Sequence, residues 1–285
     1  MVRRPFIAEP LSGLAAWSSR LGIFALVVAA LSAVILRSGF LDAEPALATF
    51  GAALACAVVA ILLALLSFVS IWRQGYSGLG RALLGLVLGF ALLAYPAYLA
   101  TVAYKLPAIA DVTTDTANPP RFESLARQRP SNRIAYPGAA AAKLQQAAYP
   151  DIVPLQLALP ARTAYDVALG VISKHKWPVG DTRPPAGNRE GIIEATARTL
   201  VMGLRDDVVI RITPLGRASR IDLRSASRVG SHDLGANAAR LRTLLEEIDE
   251  AAGNAPEPKA EPEPQQPKRP VQRRTQPQKP QVPAR

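Results

Sequence analysis

Cysteine occurs once and histidine twice in this chain of 285 residues. The lone Cys56 lies inside an apolar run, so neither an intrachain disulfide nor a cysteine metal site can form, and the thiol reads as a small buried hydrophobe. With only His175 and His232 to draw on, no multi-histidine metal centre is expected, and no cofactor is predicted. His175, between Lys174 and Lys176, reads as a helix-end cation or a solvated ring. A Gly-x-Ser-x-Gly elbow, a phosphate loop and a dinucleotide fingerprint are all absent. The chain also lacks charge where it is most apolar. Residues 21–36, 46–72 and 82–104 hold no Asp, Glu, Lys, Arg or His, which disfavours a transporter or pump, because intramembrane ion and proton paths are built from those residues.

What is present in those runs is length. A helix needs roughly 20 apolar residues to cross a bilayer, and the first run reaches that with its flanks while the other two exceed it. Three transmembrane helices are therefore expected within residues 19–105. A secretory signal cleaved after Ala46-Leu47-Ala48 is the competing reading, but the first apolar run ends well before that triplet and two further spans follow it. Ala52, Cys56 and Ala60, and likewise Gly85 and Gly89, stand four residues apart and offer small surfaces for close helix packing. Pro96 marks a kink in the third span, and Tyr95, Tyr98 and Tyr104 an interfacial aromatic belt.

Lysine and arginine in short loops set orientation. Arg3, Arg4, Arg20, Arg73 and Arg81 fall on one side, Arg37 and Lys105 on the other. This predicts a bacterial inner-membrane protein, multi-pass, with residues 1–18 in the cytoplasm and everything after Lys105 in the periplasm. The net charge of +9 carried by residues 121–285 then faces the envelope rather than nucleic acid. Its densest part is residues 251–285, where seven basic and three acidic residues mix with Pro and Gln and where Val271 and Val282 are the larger aliphatic side chains. That tail cannot bury enough apolar surface to offset chain entropy, so disorder with polyproline II character is expected. It lacks aromatics on which bases would stack, so no nucleic-acid partner is predicted.

Between membrane and tail, residues 106–150 read as an extended wrap with turns, from "DVTTDTANPPRF" to "YPG", with one short helix at 139–148. Residues 151–250 read as a globular α+β domain. "DIVPLQLAL" suggests a strand, residues 162–176 an amphipathic helix, "GIIEATART", "DVVIRITPL" and "RIDLRSASR" three alternating strands, and residues 234–249 a closing helix. The fold class predicted is thus α+β: a three-helix transmembrane anchor, then a small antiparallel sheet with helices packed on one face, then the tail.

One stretch concentrates chemistry: "RSASRVGSHDLGAN", residues 224–237. Together with "DVTTDTANPPRF", "YPG" and "QQAAYPDIVP", it resembles the domain of unknown function 1499 family of membrane-attached bacterial proteins, over residues 111–249. The Arg-Ser-x-Ser-Arg-x-Gly-x-x-Asp-x-Gly-x-Asn order is the specific part. The resemblance implies no activity, since the family's role is not established, and it does not extend to the tail.

Alternation along the strand sends Ile221, Leu223, Ser225 and Ser227 to one face and Asp222, Arg224, Ala226 and Arg228 to the other. In one reading the motif is a capped strand-to-helix junction: Gly230 turns the chain, Asp233 caps the helix and accepts from an arginine, and Gly235 and Asn237 shape the first turn. In another, Arg224 and Arg228 with the hydroxyls of Ser225, Ser227 or Ser231 bind a phosphate or carboxylate at the helix N-terminus. A Ser231-His232-Asp233 triad has the residue types of a hydrolase, but three successive side chains do not line up as one. The reading these residues favour is a non-enzymatic membrane protein whose periplasmic domain binds an envelope protein or an anionic lipid or glycan. The alternatives are an envelope enzyme acting on such a substrate and a structural subunit of a membrane complex.

Overall fold

The computed structural model describes residues 9–129 and 133–255; Arg3 and Arg4 and the expected disorder of the tail beyond 255 lie outside these. Three helices, α1 (Gly13–Ser38), α2 (Ala43–Gln74) and α3 (Leu79–Lys105), are long and apolar enough to cross a membrane. At 1.5 Å per residue they span about 40 to 48 Å, beyond the roughly 30 Å of a hydrocarbon core.

Their mutual surface is built from small residues. α1 buries Ala15, Ser18, Gly22, Ala25, Ala29 and Ser32 while Phe24, Val27, Leu31 and Val34 remain outside. In lipid there is no hydrophobic drive between helices, so close backbone approach and interhelical hydrogen bonds must supply the contact. Ser18 Oγ donates to the Ala60 carbonyl at 2.8 Å. Gly85 and Gly89 do face their neighbours, but the α2 stripe is Ala53, Ala57, Ala60 and Ala64 rather than Ala52, Cys56 and Ala60, and Cys56 is half-buried. The mixed spacing of three and four residues between adjacent small positions fits how the helix face turns; a strict four-residue repeat drifts off it.

The domain follows. β1 (Asp111–Thr113), a 3-10 turn (Leu125–Gln128), α4 (Ala139–Ala148), β2 (Leu155–Leu157), α5 (Ala161–Lys174), β3 (Val179–Arg183), β4 (Gly191–Arg198), β5 (Arg205–Leu215), β6 (Ala218–Ser227) and α6 (Ala236–Gly253) occur in that order. All strand pairs are antiparallel, in the order β1-β6-β5-β4-β3, with β2 also on β6. β1 takes Arg224–Ala226 and β2 takes Ser219–Ile221, so together they complete one edge.

Period-two alternation splits the sheet's faces. Ile193, Ala195, Val208, Ile210, Ile212, Ile221 and Leu223 join Tyr165, Ile172, Leu241, Leu244 and Ile248 of α5 and α6 in the main core. The opposite face is not left to water. Phe122 and Leu125, from the segment that leads out of β1, pack on Ile192, Val209 and Ala226 and roof it. β3 has no counterpart in the expected strands, because all five of its residues are exposed and carry no alternation.

A Cβ at Gly85 would lie 2.7 Å from the Ser18 carbonyl carbon, a backbone atom that cannot yield, whereas one at Gly80 meets nothing within 4 Å. Gly85→Ala should therefore cost about 1–3 kcal/mol through overpacking and lower the melting temperature of the detergent-solubilised chain, while Gly80→Ala leaves it unchanged or raises it.

Candidate functional site

The roofed face carries the charges of the "RSASRVGSHDLGAN" strand. Arg224 is 1% exposed and bidentate to Asp111, with Nε to Oδ1 at 2.9 Å and Nη2 to Oδ2 at 2.7 Å. Its remaining donors reach the carbonyls of Pro120 (3.1 Å) and Ile134 (3.2 Å), and its guanidinium lies 4.7 Å from the Phe122 ring centre. Arg228 and Arg129 share the buried Asp207, at 2.8 and 2.7 Å. Arg211 and Arg220 similarly meet Asp222 and Asp115. Glu194, fully buried, accepts from the backbone amides of Glu123, Ser124 and Leu125 and from the Ser124 hydroxyl, which pins the start of the 3-10 turn to the sheet. Tyr136, over this cluster, has its phenol pushed up to about 12 by burial and by the Asp111 carboxylate, against the pull of Arg224; it stays neutral and donates to Gln145 Oε1 at 3.3 Å.

The hydroxyls of the motif go to the other face and are also used internally. Asn237, completely buried, accepts from Ser225 Oγ at 2.7 Å and donates to Ser227 Oγ and the Ala110 carbonyl, both at 3.1 Å. Arg240 donates to Ser225 Oγ and Asn237 Oδ1 and pairs with Asp206 at 2.7 Å. Gly230 and Gly235 sit at φ +83° and +80°, conformations that favour glycine. Asp233 accepts from the amides of Gly235 and Asn237, both at 2.8 Å, and so caps α6 from two residues ahead of Gly235, which occupies the N-cap position; no arginine contacts it among the described residues. Ser231 is exposed and lines a cavity of about 300 Å³ with Asp111, Arg129, Arg133 and Ser227.

His232 turns away from Ser231. Its Nε2 faces the carbonyls of Ala103 (3.1 Å) and Leu106 (3.2 Å) at the end of α3, and its Nδ1 accepts from the Leu234 amide at 3.0 Å. These partners select the Nε2–H tautomer, because carbonyls only accept and the amide only donates. The Ser-His-Asp sequence therefore forms no relay. His175 pairs with Glu247 at 2.6 Å and stacks on Trp177.

The family model described as protein of unknown function (DUF1499) matches residues 111–248. The domain belongs to this family. Among solved structures, the DUF1499 domain is similar to TTHA0849 from Thermus thermophilus, at 12% identity and a TM-score of 0.20, covering 36% of this chain and 95% of that one. It is also similar to the Zhui aromatase/cyclase from Streptomyces sp. R1128, at 14% identity and a TM-score of 0.16, covering 35% and 84%. No curated protein matches.

Where the DUF1499 domain meets the helices, a different set of polar groups appears that the motif does not contain. Arg37, near the end of α1, donates to the carbonyls of Leu200 and Val201, and Arg198 donates to the Arg37 carbonyl at 2.9 Å. Arg205 lies close enough to Gly39 that a Cβ there would be 3.1 Å from its Nη2. Arg37, Arg198 and Arg205 are exposed and, among the described residues, form no ion pair, in contrast to the arginines under the roof. In the sequence they are scattered singly over three elements, which hid the cluster; the only signal was the apolar turn "TLVMGL" where polar turn residues are usual.

Removing one partner of the buried Arg224–Asp111 pair strands a charge. Asp111→Asn should cost about 3–5 kcal/mol in urea unfolding of the full chain, and Asp111→Leu with Arg224→Met should recover most of it. Burial raises the Asp233 carboxyl above its ordinary 3.8, against its two backbone donors. A proton is then held by the native state where the unfolded chain has lost it. The stability this contributes is full below pH 3.8 and is lost as pH rises through the raised native value. Asp233→Asn should remove that fall from the curve of melting temperature against pH above 4.

Proposed function

We propose that this is a bacterial inner-membrane protein with its N-terminus in the cytoplasm, whose periplasmic domain is a non-enzymatic module that binds an anionic ligand of the envelope at its membrane-facing edge. The orientation is supported by the five basic residues on one side of the spans against Arg37 and Lys105 on the other. The anionic ligand is carried by one observation: Arg37, Arg198 and Arg205 present exposed guanidiniums without a carboxylate partner among the described residues. Arg224, Ser225, Ser227 and Arg228 serve the fold instead, since each is engaged by Asp111, Asn237 or Asp207. A partner docking here would meet charge from two directions at once, the end of α1 and the start of β5.

Two measurements test this reading. A phosphatase reporter fused after Lys105 should be active and a fluorescent-protein reporter dark; the reverse would put the domain in the cytoplasm. In nanodiscs, the full chain should melt higher in phosphatidylglycerol than in phosphatidylcholine, by the equivalent of about 2.7 kcal/mol if sites are occupied at 100 times the dissociation constant. Arg198→Gln with Arg205→Gln should abolish the difference.

A further inference from the structure

The β4–β5 turn breaks the habit of turns. Leu200, Val201 and Met202 occupy its tip, and Leu200 is 88% and Val201 43% exposed. Such side chains are costly in water, at about 25 cal/mol per Å² of apolar surface left wet. The tip is held in one place. Thr199 and Leu204 bond across it at 2.9 Å. Gly203, at φ +68°, lies so near Arg37 that a Cβ would be 2.7 Å from its Cγ.

That place is below the end of α3. A cleft of about 410 Å³ is lined by the turn and by Tyr95 and Leu99, with Leu234 also on its wall. Tyr95 and Leu99 precede Lys105 by ten and six residues, about 15 and 9 Å along the helix axis. One wall of the cleft is thus the lipid-facing surface of a membrane helix, and its size suits a small part of a ligand. Leu234 is held at φ +56°, a strained conformation for a leucine, with its amide on His232. Among the charged side chains that line the cleft, Arg240 pairs with Asp206 and Asp233 caps α6, whereas Arg198 meets the Arg37 carbonyl and, among the described residues, no carboxylate.

We propose that this cleft takes one acyl chain of a bilayer phospholipid, with the turn immersed among the lipids and Arg198 meeting the headgroup phosphate. The inference rests on the anionic-ligand reading for the headgroup but not for the chain. A free solute gains little from an apolar wall on the flank of a membrane helix, whereas a lipid already resides beside it. Continuity with the surface of α3 selects a lipid, and the charge of Arg198 selects an anionic one.

Native mass spectrometry of the full chain, titrated with phosphatidylglycerol, phosphatidylcholine and glycerol 3-phosphate, tests it. Phosphatidylglycerol should be retained about tenfold better than phosphatidylcholine, whose choline cation offsets the shared phosphate and repels Arg198, and glycerol 3-phosphate should not be retained. Leu200→Asp, on an exposed side chain, and Leu99→Trp, which fills the cleft from the other wall, should each remove both lipids. Arg198→Gln should erase the preference and keep the binding. Equal retention of glycerol 3-phosphate, or lipid retention untouched by both wall variants in folded protein, overturns the cleft. Equal retention of the two lipids, both lost in the wall variants, keeps the cleft and overturns the anionic reading.

Discussion

The ion pair between Arg224 and Asp111 holds the rest of the domain in register. A guanidinium 1% exposed is tolerable only with a carboxylate and carbonyls around it, and here all its partners come from the segment that follows α3. Satisfying that one side chain fixes β1 on β6, brings Pro120 and Phe122 over the sheet and draws Ile134 in from the far side of the 3-10 turn. Asp207 and Glu194 then repeat the logic, one with two arginines, one with backbone amides. The second face of the sheet is a polar core in which each charge specifies a neighbour. Its cost in desolvation is high, and what it gains is a unique path for a segment with few apolar residues of its own.

Much of this was legible and some was not, for definable reasons. The three spans follow from uncharged length, and β4, β5 and β6 from alternation, which in β5 and β6 places Val208, Ile210, Ile212, Ile221 and Leu223 together but in β4 leaves Ile192 and Ile193 as alternatives. The face assigned to Asp222, Arg224 and Ala226 is also as alternation requires. What periodicity cannot convey is that a segment a hundred residues away returns to cover that face, so arginines that looked outward are interior. β1 is three residues long and β3 wholly exposed; neither carries a period. α6 runs on to Gly253, past the expected Asp249, because the helix continues through Ala251 and Ala252 with no breaker before Gly253.

The motif itself is a crossing point. Ser225 and Ser227 look inward to Asn237, Asp233 starts α6, and His232 reaches back to the last turn of α3. One stretch of 14 residues therefore joins sheet, closing helix and membrane helix. Its hydroxyls, amide and imidazole are those of a reactive site because satisfying orphan backbone groups and binding a ligand call on the same functional groups. Composition alone cannot separate these uses; partners can.

The join between α3 and β1 runs only from Leu106 to Ala110, and three of its carbonyls are bonded to the motif: Leu106 to His232 Nε2, Ile109 to the Asp233 amide and Ala110 to the Ser227 amide. These bonds hold the domain against the end of α3. A tethered module on a loose linker samples many poses and surrenders that freedom each time it engages a surface. This one has surrendered it already, during folding, so its height and tilt relative to α3 are properties of the polypeptide rather than of an encounter. A force that tilts α3 turns the sheet with it.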